Sequence, residues 1–138
     1  MLKSLRFPMT LVRVGTVMLI LTAFFQIYLG YPYVTRGMSA ANLDLGVSAD
    51  VKAVWIGFCL HLFFIAYLLL ANSLRNSFHQ LIVMLSGMIV LADGILVRVF
   101  MGEKSLVAQA LMVSGLLILL GSYWYFLIPL MNRKATVA

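Results

Sequence analysis

Cysteine is almost absent from this sequence, and so is negative charge: Cys59 stands alone, and only four of the 138 residues are acidic. A single cysteine excludes an intrachain disulfide and a Cys-x-x-Cys redox pair. Inside the apolar run "GFCLHLFF" it reads as a small buried hydrophobe. Charged residues of both signs make up 10% of the chain, against about 25% in soluble domains. The ten basic residues give a formal charge of +6 but are dispersed. No run of Lys and Arg interleaved with aromatics occurs, which argues against a nucleic-acid partner. There is also no Gly-x-Ser-x-Gly elbow, phosphate loop or His-Glu-x-x-His, so hydrolase and nucleotide-driven chemistry have no positive signal.

What fills the chain instead is apolar sequence, 64% of it. A hydrocarbon core about 30 Å thick takes roughly 20 apolar residues per helix. Four such segments can be laid end to end, at about 11–28, 52–70, 81–100 and 106–130. The expectation is a single membrane domain over 1–138, all-α, a multi-pass four-helix bundle in the lipid bilayer. Arg13 interrupts the first apolar run, which therefore reads as a span and not as a signal peptide. Short connections at "NSLRNSFH" and "MGEK" force antiparallel neighbours and an up-down-up-down order. The one sizeable loop is expected at "YPYVTRGMSAANLDLGVSAD", punctuated by Pro32, Gly37 and Gly46.

Loop charge sets the expected orientation. With the N-terminus cytoplasmic, the inner side holds Lys3, Arg6, Arg75, Arg133 and Lys134, with Arg13 close by. The outer side holds Arg36, Lys52 and Lys104 together with Asp44, Asp50 and Glu103. Both termini are then inside, in a bacterial-type inner membrane. Tyr31, Tyr33, Trp55 and the cluster Tyr123 to Tyr125 suit interfacial anchoring.

Small residues recur at heptad-like spacing: Ser86-Gly87, then Asp93-Gly94, and Ser114-Gly115, then Gly121-Ser122. Lipid offers no hydrophobic drive between helices, so close approach at Gly and Ser must supply packing. These pairs mark inward faces, and they place Asp93 inside the bundle. Asp50, Val54, Gly57, His61, Ile65, Leu68 and Asn72 form one stripe of the second span. Its glycine beside a histidine predicts close packing there too.

An ionised carboxylate near a helix centre costs about 2.5 to 3.5 kcal/mol on insertion scales, so Asp93 needs a partner. Counting about 1.5 Å per residue from the outer ends of two antiparallel spans puts His61 and Asp93 at one depth. They are the candidate catalytic acid/base pair, with Arg98 as the competing partner if its side chain bends back. Gln26, Trp55, Gln109 and Ser114 fall in the same outer half and complete, with Arg98, the expected pocket. Haem between helices would want two histidines at one depth, and His79 lies at the opposite end of its span. His61 and Asp93 alone are too few for a metal, and no cofactor is expected.

Three functions fit. The first is a small membrane protein whose outer-half polar pocket binds a hydrophobic small molecule or a membrane partner, such as a larger complex or a second copy. The second is a membrane-embedded enzyme, of acid/base isomerase or hydrolase type, acting on a lipid, terpene, sterol or quinone-like substrate. The third is a proton-coupled transporter, disfavoured by the apolar inner halves of the spans.

Overall fold

A computed structural model describes residues 2–74, 79–101 and 105–135, with side chains described over 7–74, 79–99, 101 and 105–127. Arg75, Glu103 and Lys104, which enter the expected orientation, lie outside the described residues. The described chain is all helical. Helix α1 covers Leu2–Phe25, a π-helical turn Gln26–Gly30, α2 Tyr31–Ala40, α3 Leu45–Leu74, α4 Gln80–Met101 and α5 Leu106–Ala135. Four helical stretches are long and apolar enough to cross a membrane: Phe7–Ala40, Leu45–Leu74, Gln80–Val99 and Leu106–Leu127.

The expected long loop is largely helix, and its punctuation residues have other uses. Pro32 sits in the first turn of α2, directly after the π turn, and the helix runs on through it without the N–H that proline lacks. Immediately before it, Tyr31 N–H bonds back to the Gln26 carbonyl, five residues away, and this widens the helix by one π turn. A proline ring clashes with the carbonyl four residues earlier in a regular helix, so a widened turn is one way to carry the chain past Pro32. Gly37 packs against nothing within 4 Å and leaves the helix intact.

The real break is the four residues 41–44 between α2 and α3. Asn42 takes φ 49°, the left-handed conformation, and Asn tolerates it better than most residues. Asn42 N–H then donates to Ser39 O at 3.3 Å and Leu43 N–H to Met38 O at 3.4 Å, the two bonds of a Schellman C-cap. Asp44 starts α3 at once: its Oδ2 accepts from Gly46 N–H at 3.3 Å, and its carbonyl accepts from Ser48 N–H at 2.9 Å.

The helices pack where small residues permit it. On the seam of α4 with α5, a Cβ on Gly115 would lie 2.7 Å from Leu91 N, and one on Gly94 2.8 Å from Met112 N. Backbone meets backbone there. On the seam of α1 with α5, a Cβ on Gly15 would meet Ser114 O at 2.9 Å, and one on Gly121 would meet Pro8 O at 2.7 Å. Numbers fall along one helix as they rise along the other in both seams. Val12, Leu19, Leu62, Leu69, Val90 and Ile118 fill the core between these contacts. Helices α1 and α5 are central, α3 lies on α1, α4 on α5, and α3 touches α4 only sparingly.

One end of the molecule is tied by polar pairs. Arg13 Nη2 donates to Ser73 O at 3.2 Å, near the end of α3. Asn72 Oδ1 accepts from His79 N–H at 3.0 Å, and Asn72 Nδ2 donates to His79 O at 3.4 Å. Gln80 and Ser122 exchange side-chain to backbone bonds of 3.4 Å in each direction. At the other end the sparse seam between α3 and α4 stays open.

Candidate functional site

Gly94 explains how Asp93 is aimed. Its bare Cα lets α4 press against the Ala108–Met112 turn of α5. The preceding residue lies about 100° around the helix, given 3.6 residues per turn, and therefore looks toward α3. There Asp93 Oδ2 stands 3.3 Å from His61 Nε2, with the Asp93 side chain 16% exposed and that of His61 43%. The carboxylate is enclosed and the imidazole is open on one side.

Toward the α2 end of α3 the seam widens into a cleft of about 800 Å³, a size within the range of small-molecule sites. Its walls are Val51, Val54, Trp55 and Phe58 of α3 and Asp93, Leu96 and Val97 of α4, with Gln26 contributed by the π turn. Asp50 and Met101 also line it. The lining is mostly hydrocarbon, with a few polar groups.

The π turn orders two of those polar groups. A Cβ built on Gly30 would lie 2.6 Å from Trp55 Cζ2 and 2.8 Å from Gln26 Oε1. The indole and the amide thus share the space that any larger residue at position 30 would occupy. Gln26 is 1% exposed and is the first residue of the π turn.

Three enclosed polar atoms lack a hydrogen-bond partner among the described residues: Gln26 Nε2, Trp55 Nε1 and Asp93 Oδ2. All three residues line the same cleft. The His61 contact is close but is not an aligned hydrogen bond, so it leaves the Asp93 oxygen unsatisfied. An unpaired buried polar group costs about 1 to 3 kcal/mol, and native proteins keep few of them. The cleft is thus walled by residues that carry two enclosed, unpaired N–H donors and an enclosed carboxyl oxygen, beside which a molecule could bind. Beside it, the carboxyl and imidazole could exchange a proton with such a molecule.

The remaining residues of the expected pocket lie elsewhere. Ser114 is fully buried, donates to Ala110 O at 2.7 Å and puts its own carbonyl under Gly15, so it belongs to the α1–α5 seam. Gln109 is on an exposed face of α5. Arg98 is exposed in the last turn of α4, and neither it nor Gln109 is among the residues lining the cleft. Helix α5 contributes nothing to the cleft because α1 and α4 cover its inward face.

Gly57 departs from expectation as well: no atom lies within 4 Å of a Cβ built there. The stripe from Asp50 to His61 does form one face, but that face looks into the open seam. Gly30, Phe58, Leu96 and Met101 join the site although periodicity and depth do not single them out for it. For Gly30 the available signal is the Gly-Tyr-Pro sequence itself, with Gln26 one turn before it.

Among the described residues no three His, Cys, Asp or Glu side chains gather as a metal site would require. The chain matches no protein-family profile, no curated protein and no solved structure. The chemistry of the cleft is therefore what bears on function.

Proposed function

We propose that the chain is an integral, multi-pass membrane protein of a bacterial-type inner membrane, an up-down-up-down bundle with both termini cytoplasmic. The outward surface supports this, since Leu21, Phe64, Tyr67, Leu81, Leu120 and Trp124 are all exposed. Soluble monomers rarely expose apolar patches beyond a few hundred Å². Helices of 22 to 30 residues reach roughly 33 to 45 Å, enough for a bilayer core. Lys3, Arg6 and Arg13 at one end against Arg36 and Lys52 at the other give a modest basic bias, from which the orientation is read.

Within that frame the protein binds a hydrophobic small molecule in the cleft between α3 and α4, in the outer half of the bilayer. The observation that carries this reading is that three residues walling one apolar cleft each hold an enclosed polar atom without a partner. Entry is lateral, through the seam where α3 and α4 barely touch and Gly57 leaves space. Purification in mild detergent followed by mass spectrometry of bound small molecules tests it. A stoichiometric apolar ligand, lost from Trp55→Ala, is expected. Protein that carries only bulk lipid, or that comes out bound to a larger complex, overturns ligand binding in favour of a partner-binding role.

A second reading rests on the 3.3 Å approach of His61 to Asp93 at the margin of the cleft. In it the pair moves a proton to or from a lipid, terpene, sterol or quinone-like substrate. Asp93→Asn and His61→Ala then abolish turnover in protein that still inserts and folds. Loss of stability without any turnover to lose leaves the pair as a helix contact.

A further inference from the structure

Charge is distributed unevenly around the cleft, and this constrains what it takes, provided the cleft is the ligand site proposed above. Ten residues of the chain are basic and four are acidic, yet the charged residues among its described walls are Asp50 and Asp93, both acidic. Arg36, Lys52 and Arg98 do not line it. An anionic molecule would meet like charge there, between walls that are mostly hydrocarbon, where charges act more strongly than in water.

The two carboxyl groups stand at different levels and in different surroundings. Asp50 lies near the start of α3 and precedes His61 by 11 residues, roughly 16 Å along the helix. Asp93 is level with His61, has the imidazole at 3.3 Å and is 16% exposed. Asp50 is exposed and has no side-chain hydrogen bond or ion pair among the described residues. A cation beside Asp50 would keep part of its hydration, whereas one beside Asp93 would lose it and would compete with His61. Between the two levels, Val54, Phe58, Leu96 and Val97 offer hydrocarbon to an apolar chain.

We propose that the cleft takes cationic amphiphiles, with the cation beside Asp50 at the mouth and the hydrocarbon tail reaching inward to the level of Asp93 and His61. Asp50 is then the residue that selects for charge. The deep pair bounds the tail and does not hold the head.

Three probes of equal carbon number and different charge test this: dodecylamine, dodecan-1-ol and laurate. Each is offered to the full-length protein in nanodiscs of zwitterionic lipid, and retention above empty nanodiscs is measured by mass spectrometry. Dodecylamine is expected to bind saturably and to be preferred over the other two. Asp50→Asn should lower the ratio of amine to alcohol affinity by roughly 2- to 5-fold, the scale of one exposed ion pair. Asp50→Lys should move the preference to laurate. Asp93→Asn, at the tail end, should shift amine and alcohol together and keep their ratio. Comparing each variant with the parent in the same lipid cancels the partitioning of the probes into the bilayer, and circular dichroism confirms that the variants fold. Equal retention of amine and alcohol by the parent, a preference for laurate, or a ratio that falls in Asp93→Asn and not in Asp50→Asn overturns charge selection at Asp50 while leaving a hydrophobic site. Retention of none of the three removes the ligand site itself.

Discussion

His61 of α3 and Asp93 of α4 meet at 3.3 Å across the seam where their two helices otherwise touch least. The contact is asymmetric, because the carboxylate is enclosed and the imidazole is partly open. Removing the imidazole takes the close ionisable neighbour from an enclosed carboxyl that already lacks an aligned hydrogen bond, whereas replacing the carboxylate by an amide leaves a ring that is open on one side. His61→Ala should therefore destabilise the protein more than Asp93→Asn, by about 1 to 3 kcal/mol against less than about 1. A double-mutant cycle of unfolding in detergent should give a coupling of about 0.5 to 1.5 kcal/mol, the scale of interhelical polar pairs in membranes. Additive single mutants would mean that the pair does not join the helices energetically.

Glycines at the backbone crossings make a sharper contrast. A methyl group at position 115 would meet Leu91 N at 2.7 Å, and backbone cannot rotate away as a side chain can. Gly115→Ala and Gly94→Ala should each cost about 1 to 3 kcal/mol, the usual penalty of overpacking. Gly57→Ala meets nothing within 4 Å and should stay within about 0.5 kcal/mol of the parent. Thermal unfolding of the three variants in one detergent decides it. A destabilised Gly57→Ala would show that the face beside His61 is covered in the membrane, as a second copy or a partner would cover it.

The packing role of Gly87, Gly94, Gly115 and Gly121 is legible in the amino-acid sequence because small residues recurring at helical spacing have one economical use in lipid, close approach. The meeting of His61 with Asp93 is legible because antiparallel helices convert residue counts into depth. Neither rule fixes rotation about a helix axis relative to its neighbours. Spacing alone accordingly makes Gly57 a packing residue, which it is not, and assigns Ser114 and Gln109 to a pocket that α5 does not reach. The expected loop fails because Pro32, Gly37 and Gly46 carry the local signal of a break, while the true break is carried by a left-handed Asn42 and the cap at Asp44. The π turn that begins at Gln26 leaves no periodic trace at all.

Arg13 looks out of place in an apolar run, and its role is local. Its Nη2 donates to Ser73 O at 3.2 Å, near the helix end where carbonyls lack intrahelical donors and where a cation also complements the helix dipole. Arg13→Ala should cost about 0.5 to 2 kcal/mol, with Arg13→Lys recovering part of it. Hydrogen exchange should quicken in the last turns of α3 and remain unchanged at its start. Uniform acceleration along α3 would instead assign Arg13 a role in the whole bundle.

The proposed orientation can be checked by labelling, since Cys59 is the one native cysteine and is buried. In a Cys59→Ala background, Ser39→Cys places a thiol at the exposed end of α2, and Leu74→Cys places one at the opposite, exposed end of α3. With both termini cytoplasmic, a membrane-impermeant maleimide should label position 39 in intact cells and position 74 only after permeabilisation. The reverse pattern would invert the topology and move the cleft to the cytoplasmic half of the bilayer. Partial labelling of both in intact cells would mean that the modest basic bias inserts the chain in both directions. The cleft would then open toward each leaflet in different copies, and a ligand confined to one leaflet could occupy only that share of the protein.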